Sequence, residues 1–298
     1  MSTIYEKVLE SERIANTLNN EDIEEAIQKI RDIYKNIRNT RCLPAINYNE
    51  PRFRCAYVYY FAGCHTSSLV SELSKFSYQH NNKYQEMMLY CRSSLKVCSL
   101  GGGPGCDLVA LLYTRYFYGG TVYTREIRCI VVDLFGGWGE SLEHVRQSFL
   151  NTIGSVYQKM KVFEFNLLEA NLCDPQVEPG VKKAIREAHI ITMVKFVSII
   201  PSKKYENMKC LKRIFTFMKR KAFIIYLDNL QGDLYDKVVE EAENCGLNMI
   251  WRSQSYRSPE EEKSVFSSNT LKVKALKQTA IDVVVWQKKV HHPKPVED

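Results

Sequence analysis

The chain has 298 residues, 45% of them hydrophobic and 25% charged, an ordinary globular composition with room for one sizeable domain and an accessory region. Apolar runs such as Ala222 to Leu227 fall far short of the roughly 20 residues that cross a bilayer, which argues against a membrane partner. The formal charge of +7 is compatible with nucleic acid without requiring it.

Met1 to Lys7 carries no basic-then-apolar signal pattern, so a cytoplasmic or nuclear protein is expected. The ten cysteines include no Cys-x-x-Cys pair, and several sit inside apolar strand-like runs. They read as reduced core residues, and no metal site is expected. His291-His292 reads as a solvated tail.

In chain order, helix comes first. Ile23, Ile27, Ile30 and Ile33 recur at three- or four-residue spacing, predicting helix between Ile14 and Ile37 with Asn20 as its cap. Pro44, Asn47, Asn49 and Pro51 break it. A second helical stretch runs from Tyr57 to about Phe76, and a short one from Tyr84 to Tyr90. From Leu95 the texture changes to strands at Leu95–Leu100, Ile127–Asp133, Val162–Phe165, Ile190–Val194, Ala222–Leu227, Asn248–Trp251 and Ile281–Trp286. Helices are predicted between them at Asp107–Tyr118, Ser141–Leu150, Val181–Glu187, Lys204–Lys219 and Asp233–Asn244. This alternation predicts an α/β fold: a mostly parallel seven-stranded sheet with helices on both faces, at residues 93–298, behind a helical extension at residues 1–92. The polar stretch from Ser253 to Asn269 reads as a loop.

A strand running through glycines into a helix brings backbone close to a ligand at a helix N-terminus. Here the run is Gly101-Gly102-Gly103-Pro104-Gly105. A dinucleotide fingerprint needs G-x-G-x-x-G, and Cys106 stands where its last glycine belongs. A P-loop needs a following Gly-Lys-Ser/Thr, which is absent.

The spacing Gly101-x-Gly103-x-Gly105 resembles the first motif of the class I S-adenosylmethionine-dependent methyltransferases, which have a Rossmann-like fold. Ile130-Val131-Val132-Asp133 is similar to that family's second strand, whose terminal acid accepts hydrogen bonds from the ribose. Glu169 to Asp174 resembles the segment after strand three, with Asn171, or its rival Asn166, facing the adenine amino group and Leu172 beside it. His189 to Phe196 resembles strand four, so Met193, Lys195 and Phe196 are expected near the methyl donor. The cofactor implied is S-adenosyl-L-methionine, held by Gly101, Gly102, Gly103, Gly105, Asp107, Asp133, Trp138, Asn171, Leu172 and Met193. One departure stands out: Ser99 occupies the position where the family has an acid two residues before the glycines, leaving either weaker contacts to the methionine end or compensation by Asp107 or an N-terminal residue.

Phe135-Gly136-Gly137-Trp138-Gly139 is a turn that either lays Trp138 over the adenine or leaves it on the surface. The tyrosine-dense run from Arg54 to Leu69 reads first as an aromatic helix face packed on the sheet, and second as a lid or base-stacking platform. His65 is a candidate general base or a structural histidine. Lys203, Lys204, Lys209, Lys212, Arg213, Lys219, Arg220 and Lys221 form either a solvated helix face or a phosphate-binding one. Methyl transfer is an in-line displacement that alignment alone can drive, so catalytic residues stay open, with Lys195, Phe196 and His65 as candidates. Gly101 to Leu111 is also similar to fungal ribosomal RNA uridine-N3 methyltransferases, which implies an RNA partner through a basic face. A protein or small-molecule methyltransferase, and a non-catalytic cofactor sensor, are the alternatives. The oligomeric state is left open.

Overall fold

The structure is a computed structural model that describes residues 2–36, 46–89, 94–118, 126–154, 162–199, 206–230, 232–257, 271–276 and 279–290. Five helices come first: α1 (Ser2–Ala15), α2 (Asn20–Asn36), α3 (Pro51–Tyr57), α4 (Gly63–Gln79) and α5 (Asn81–Leu89). A π-helical turn, Val58–Ala62, joins α3 to α4 without a break. The helix expected between Ile14 and Ile37 is two helices, because the chain turns at 16–19 with Thr17 in the left-handed region (φ 54°). The cap of α2 is Asn19 rather than Asn20. The Asp22 amide donates to Asn19 Oδ1 (2.9 Å) and the Asn19 amide to Asp22 Oδ2 (3.0 Å), a reciprocal capping box.

The rest alternates: β1 (Ser94–Leu100), α6 (Cys106–Tyr118), β2 (Glu126–Asp133), α7 (Trp138–Ile153), β3 (Val162–Glu169), α8 (Pro179–Glu187), β4 (Ile190–Val194), α9 (Glu206–Phe217), β5 (Phe223–Asn229), α10 (Gly232–Asn244), β6 (Leu247–Arg257) and β7 (Thr279–Lys288). The sheet order is β3-β2-β1-β4-β5-β7-β6. β1 to β5 are parallel, and β7 inserts antiparallel between β5 and β6. This is the Rossmann-like sheet of the class I methyltransferase fold. Its chain order reverses between β1 and β4, the place where open α/β sheets bind ligands.

Both sheet faces are covered, and side chains alternate between them with the two-residue period of a strand. Val97, Cys129 and Ile225 join the core beneath α1 to α7, while Cys98, Ile191 and Ile224 join the core beneath α8 to α10. The N-terminal helices share the first core: Ile4, Ile27, Phe53 and Phe76 pack in one cluster with Leu95 and Leu108. Among the described residues no helix is long and apolar enough to cross a membrane.

The expected loop from Ser253 to Asn269 is corrected at its start. Ser253 to Arg257 continue β6, in register with Val283 to Thr279 of β7. The strand is polar because it lies at the sheet edge. Arg252 and Gln254 both donate to Asp282 (2.9 to 3.1 Å), which supplies in hydrogen bonds what apolar burial supplies elsewhere. Residues 258–270, Lys203, Lys204 and His291-His292 lie outside the described residues.

A buried ion pair fastens the N-terminal helices. Arg54 (2% exposed) meets Glu12 (0% exposed) at 3.1 Å. Its other N–H groups reach the carbonyls of Tyr48 (3.3 Å) and Asn49 (3.0 Å) and Glu140 at the start of α7 (2.5 Å). The Ser141 hydroxyl completes the Glu12 carboxylate. One guanidinium therefore holds α1, the 46–50 turn, α3 and α7 together. Breaking such a pair from one side strands a buried charge. Arg54→Met is expected to lower the unfolding free energy by roughly 3–5 kcal/mol in a urea titration; a loss under about 1 kcal/mol would show that the network carries no weight.

Candidate functional site

The site grows from the loop between β1 and α6. Gly101 turns with φ +64°, and a Cβ there would stand 2.5 Å from Cδ2 of Phe196, so the loop passes under that ring only as glycine. The Gly101 amide donates to the Val132 carbonyl (2.8 Å), stitching the loop to the end of β2. Gly102 sits against Ser99 and Gly105 against Leu142. These two glycines shape the loop and, contrary to expectation, do not line the cavity.

Asp107 is also corrected. It is buried beneath the loop (2% exposed) and does not reach the cavity. Its Oδ2 accepts from the Ser99 hydroxyl at 2.5 Å and from the Thr192 hydroxyl, and its Oδ1 from the Leu108 amide at 2.9 Å. Burial raises its pKa, and the Ser99 and Thr192 hydrogen bonds oppose the rise. Asp107 thus accepts from Ser99 beneath the loop and does not stand in for a cavity-facing acid at that position. Asp107 ties α6 to β1 and β4 at once.

Above the loop lies a cavity of about 280 Å³ at the C-terminal ends of the strands. Gly101, Gly103, Asp133, Trp138, Asn171 and Leu172 line it, as do Lys195, Phe196 and His65. The Asp133 carboxylate accepts from the Gly103 amide (3.0 Å) and the Phe135 amide (3.3 Å). Burial pushes its pKa up to about 6 against these two backbone donors. Asn171 rather than Asn166 faces the cavity: Asn166 lies mid-strand, opposite Ile130. Met193 is fully buried in the second core and does not line it, a further correction, because Cβ alternation along β4 turns Met193 away.

Trp138 is not a surface residue. It is 2% exposed, with its ring 4.7 Å from that of Tyr48 and 5.5 Å from that of Tyr57. Tyr48 also meets Phe135 edge-on at 5.7 Å, and its hydroxyl bonds that of Tyr34 at 2.8 Å. The tyrosine-dense run is divided between the core and the cavity. Arg54, Cys55, Ala56 and Val58 are core, whereas Tyr57, Phe61 and His65 line the cavity as one face of the helix that spans the π-turn. Their spacing of four was the signal that this face is shared.

The far end of the cavity, beyond β4 and β5, carries Lys195, Ser198 and Asn229, and His65, Tyr57 and Leu276 also line the cavity. Lys195 stands just beyond β4 with φ 55°, in the left-handed region, and its ammonium donates to Asn229 Oδ1. Such backbone strain in a side-chain-bearing residue persists where surroundings over-determine it. Here the Lys195 amide is held by the Leu227 carbonyl at 2.7 Å. His65 bonds Tyr57 through Nδ1 (3.2 Å) and stacks on Phe61. Burial, then the Lys195 charge, push its pKa down to about 3. It is therefore a neutral histidine and a poor general base at neutral pH. Tyr34, Tyr48, Ser198, Asn229 and Leu276 were not legible as site residues, because each arrives from a different part of the chain.

No protein-family model matches the sequence, and no curated protein is similar to it at a significant level. Many solved structures resemble the fold. They include an S-adenosylmethionine-dependent methyltransferase from Methanosarcina mazei, at 11% identity and TM-score 0.44 over 68% of this chain and 96% of that one. Magnesium protoporphyrin IX methyltransferase from Synechocystis, solved with S-adenosylmethionine bound, shares 8% identity at TM-score 0.45 over 89% and 97%. An O-methyltransferase family protein from Burkholderia thailandensis shares 12% at TM-score 0.47 over 91% and 72%. Scores at this level carry no argument of their own; the fold is defined by this chain's own strand order and its antiparallel β7.

Asp133 has its folded-state pKa raised, so its contribution to stability is complete below about pH 4 and lost as pH rises through about 6. Asp133→Asn in the ligand-free protein is expected to be more stable than wild type at pH 7, with the gap closing toward pH 4 in thermal melts. Parallel melting curves for the two proteins across that range would contradict the assignment.

Proposed function

We propose that the protein is an S-adenosylmethionine-dependent methyltransferase and that its acceptor is RNA. The observation that carries the first part is the Asp133 carboxylate, at the end of β2, facing the Gly103 amide across the cavity floor. A carboxylate at this place is suited to a ribose diol, while a glycine loop lets a ligand approach the main chain closely. Leu134, Phe135, Ala170 and Leu172 give apolar walls for an adenine, and Asn171 a polar edge. Bound S-adenosylmethionine supplies the electrophilic methyl carbon. The protein's part is to align: Phe196 covers Gly101, Tyr57 and Phe61 close the roof, and the far end at Lys195 receives the acceptor. The helices α1 to α4 supply that roof as a layer anchored through Arg54.

The RNA part rests on charge. Lys209, Lys212 and Arg220 are exposed along one stripe of α9 and the turn after it, with Lys183 and Arg186 exposed on neighbouring α8. Arg186 and Lys182 reach across to Phe217 of α9, so the two stripes adjoin. At the pocket side of α9, Arg213 holds the carbonyls of Leu172 (3.5 Å) and Cys173 (3.3 Å), linking this face to the cavity wall. Such a row suits a phosphate backbone.

The test is incubation with methyl-labelled cofactor and, separately, total RNA, a protein lysate and a small-molecule extract. Label is expected in RNA. Label in protein or small molecules would replace the RNA reading, and cofactor binding with no label in any pool would make the protein a sensor. RNA affinity is expected to fall at least about a hundredfold between 50 and 200 mM salt, as roughly five phosphate contacts require. The triple variant Lys209→Glu, Lys212→Glu, Arg220→Glu should bind RNA more than tenfold more weakly with cofactor affinity unchanged; equal RNA affinity would remove the basic face from the account.

A further inference from the structure

The far end of the cavity says something about the acceptor's chemistry, provided the methyltransferase reading holds. Among the described residues that line the cavity, Asp133 and Lys195 carry the formal charges at neutral pH, since His65 is neutral. They stand at different ends. Asp133 is at β2 by the glycine loop, and Lys195 is beyond β4 beside Asn229. The carboxylate whose charge acts on Lys195, Asp228, is fully buried and does not line the cavity. Its two oxygens accept from the backbone amides of Ser198 (2.9 Å) and Asn229 (2.8 Å). Burial lowers the Lys195 pKa and the Asp228 charge opposes that fall, but Asp228 offers no oxygen to the acceptor. The neighbouring Tyr57 hydroxyl is protonated there, because burial raises its pKa well above the ordinary value.

This arrangement discriminates between acceptor classes. A neutral amine becomes a cation as it takes the methyl group, and that cation would form beside the Lys195 ammonium with no cavity-lining carboxylate at that end to receive its charge or its proton. An acidic O–H or N–H behaves oppositely. It first gives its proton to water, leaving a delocalised anion beside Lys195. The anion's electron pair then forms the bond to the methyl carbon, the carbon–sulfur bond breaks with its pair going to sulfur, and both products are neutral at the reacting atoms. The cavity's aromatic walls, which include Tyr57, Phe61 and Phe196, suit a flat conjugated group.

We propose that Lys195 is a catalytic residue that stabilises the conjugate base of an acidic, conjugated O–H or N–H acceptor, with Asn229 and the left-handed backbone at Lys195 aiming its ammonium into the cavity. The site is thereby matched to acidic acceptors and against amines. An opposite charge within about 4–6 Å lowers an acid's pKa by about 1–3 units, so the acceptor ionises at least about tenfold more readily than in water.

The probe is 4-nitrophenol, whose phenolate is seen by its visible absorbance, titrated against pH in the presence of protein saturated with S-adenosylhomocysteine. With wild type the bound probe should ionise about one pH unit or more below the free probe. Lys195→Arg should keep the shift and Lys195→Met should abolish it, while both bind S-adenosylhomocysteine as wild type does, which reports on their folding. An unshifted or unbound probe with wild type, a shift that survives in Lys195→Met, or tighter binding of benzylamine than of 4-nitrophenol would overturn the proposal. Failure of wild type to bind S-adenosylhomocysteine would instead remove the methyltransferase reading, and this inference with it.

Discussion

The site depends on one buried carboxylate. Asp107 has both oxygens engaged by donors from three places: the Ser99 hydroxyl on β1, the Thr192 hydroxyl on β4 and its neighbour's amide at the start of α6. A carboxylate out of water is costly unless its oxygens are satisfied, and here they are satisfied only when the loop is folded over the strand ends. The same bonds that relieve the carboxylate fix the glycine loop between β1 and α6, and through Gly103 they fix the distance to Asp133. Because β1 and β4 flank the point where the sheet reverses, clamping them together also sets the gap through which the cavity opens.

A second buried charge does for the roof what Asp107 does for the floor. Arg54 gathers Glu12, Glu140 and two carbonyls of the 46–50 turn, and so places Tyr48 over Trp138. Floor and roof meet at α7, whose first residues carry Trp138, Glu140 and Ser141. The cavity between them is walled largely by aromatic rings, with one anion at the glycine loop and one cation at the far end. That polarity, rather than any catalytic cluster, is the site's chemical character, and it suits a reaction in which alignment does most of the work.

The parts that the sequence made legible are those encoded by neighbours in the chain. Gly101 to Gly105 and the strand ending in Asp133 are local patterns, and the alternation of strand and helix predicted the sheet. Side-chain roles were less legible where partners come from afar. The positions of Ser99 and Asp107 are eight residues apart, but whether the acid would face the ligand or the strand depends on Thr192. Met193 looked like a site residue by place and was excluded by the two-residue period of β4. The polar end of β6 looked like loop because its stabilisation comes from Asp282 on the next strand rather than from apolar residues of its own. Tyr57, Phe61 and His65 had the spacing of a helix face, but a face toward the core and a face toward a cavity read alike in sequence.

The measurement that bears most directly on the whole account is calorimetric titration of S-adenosylmethionine into wild type and Asp133→Asn at neutral pH. A one-to-one binding isotherm for wild type, weakened about tenfold or more in the variant as loss of a charged hydrogen-bond acceptor requires, is the predicted result. No binding by wild type, or equal affinity for the two proteins, would contradict it.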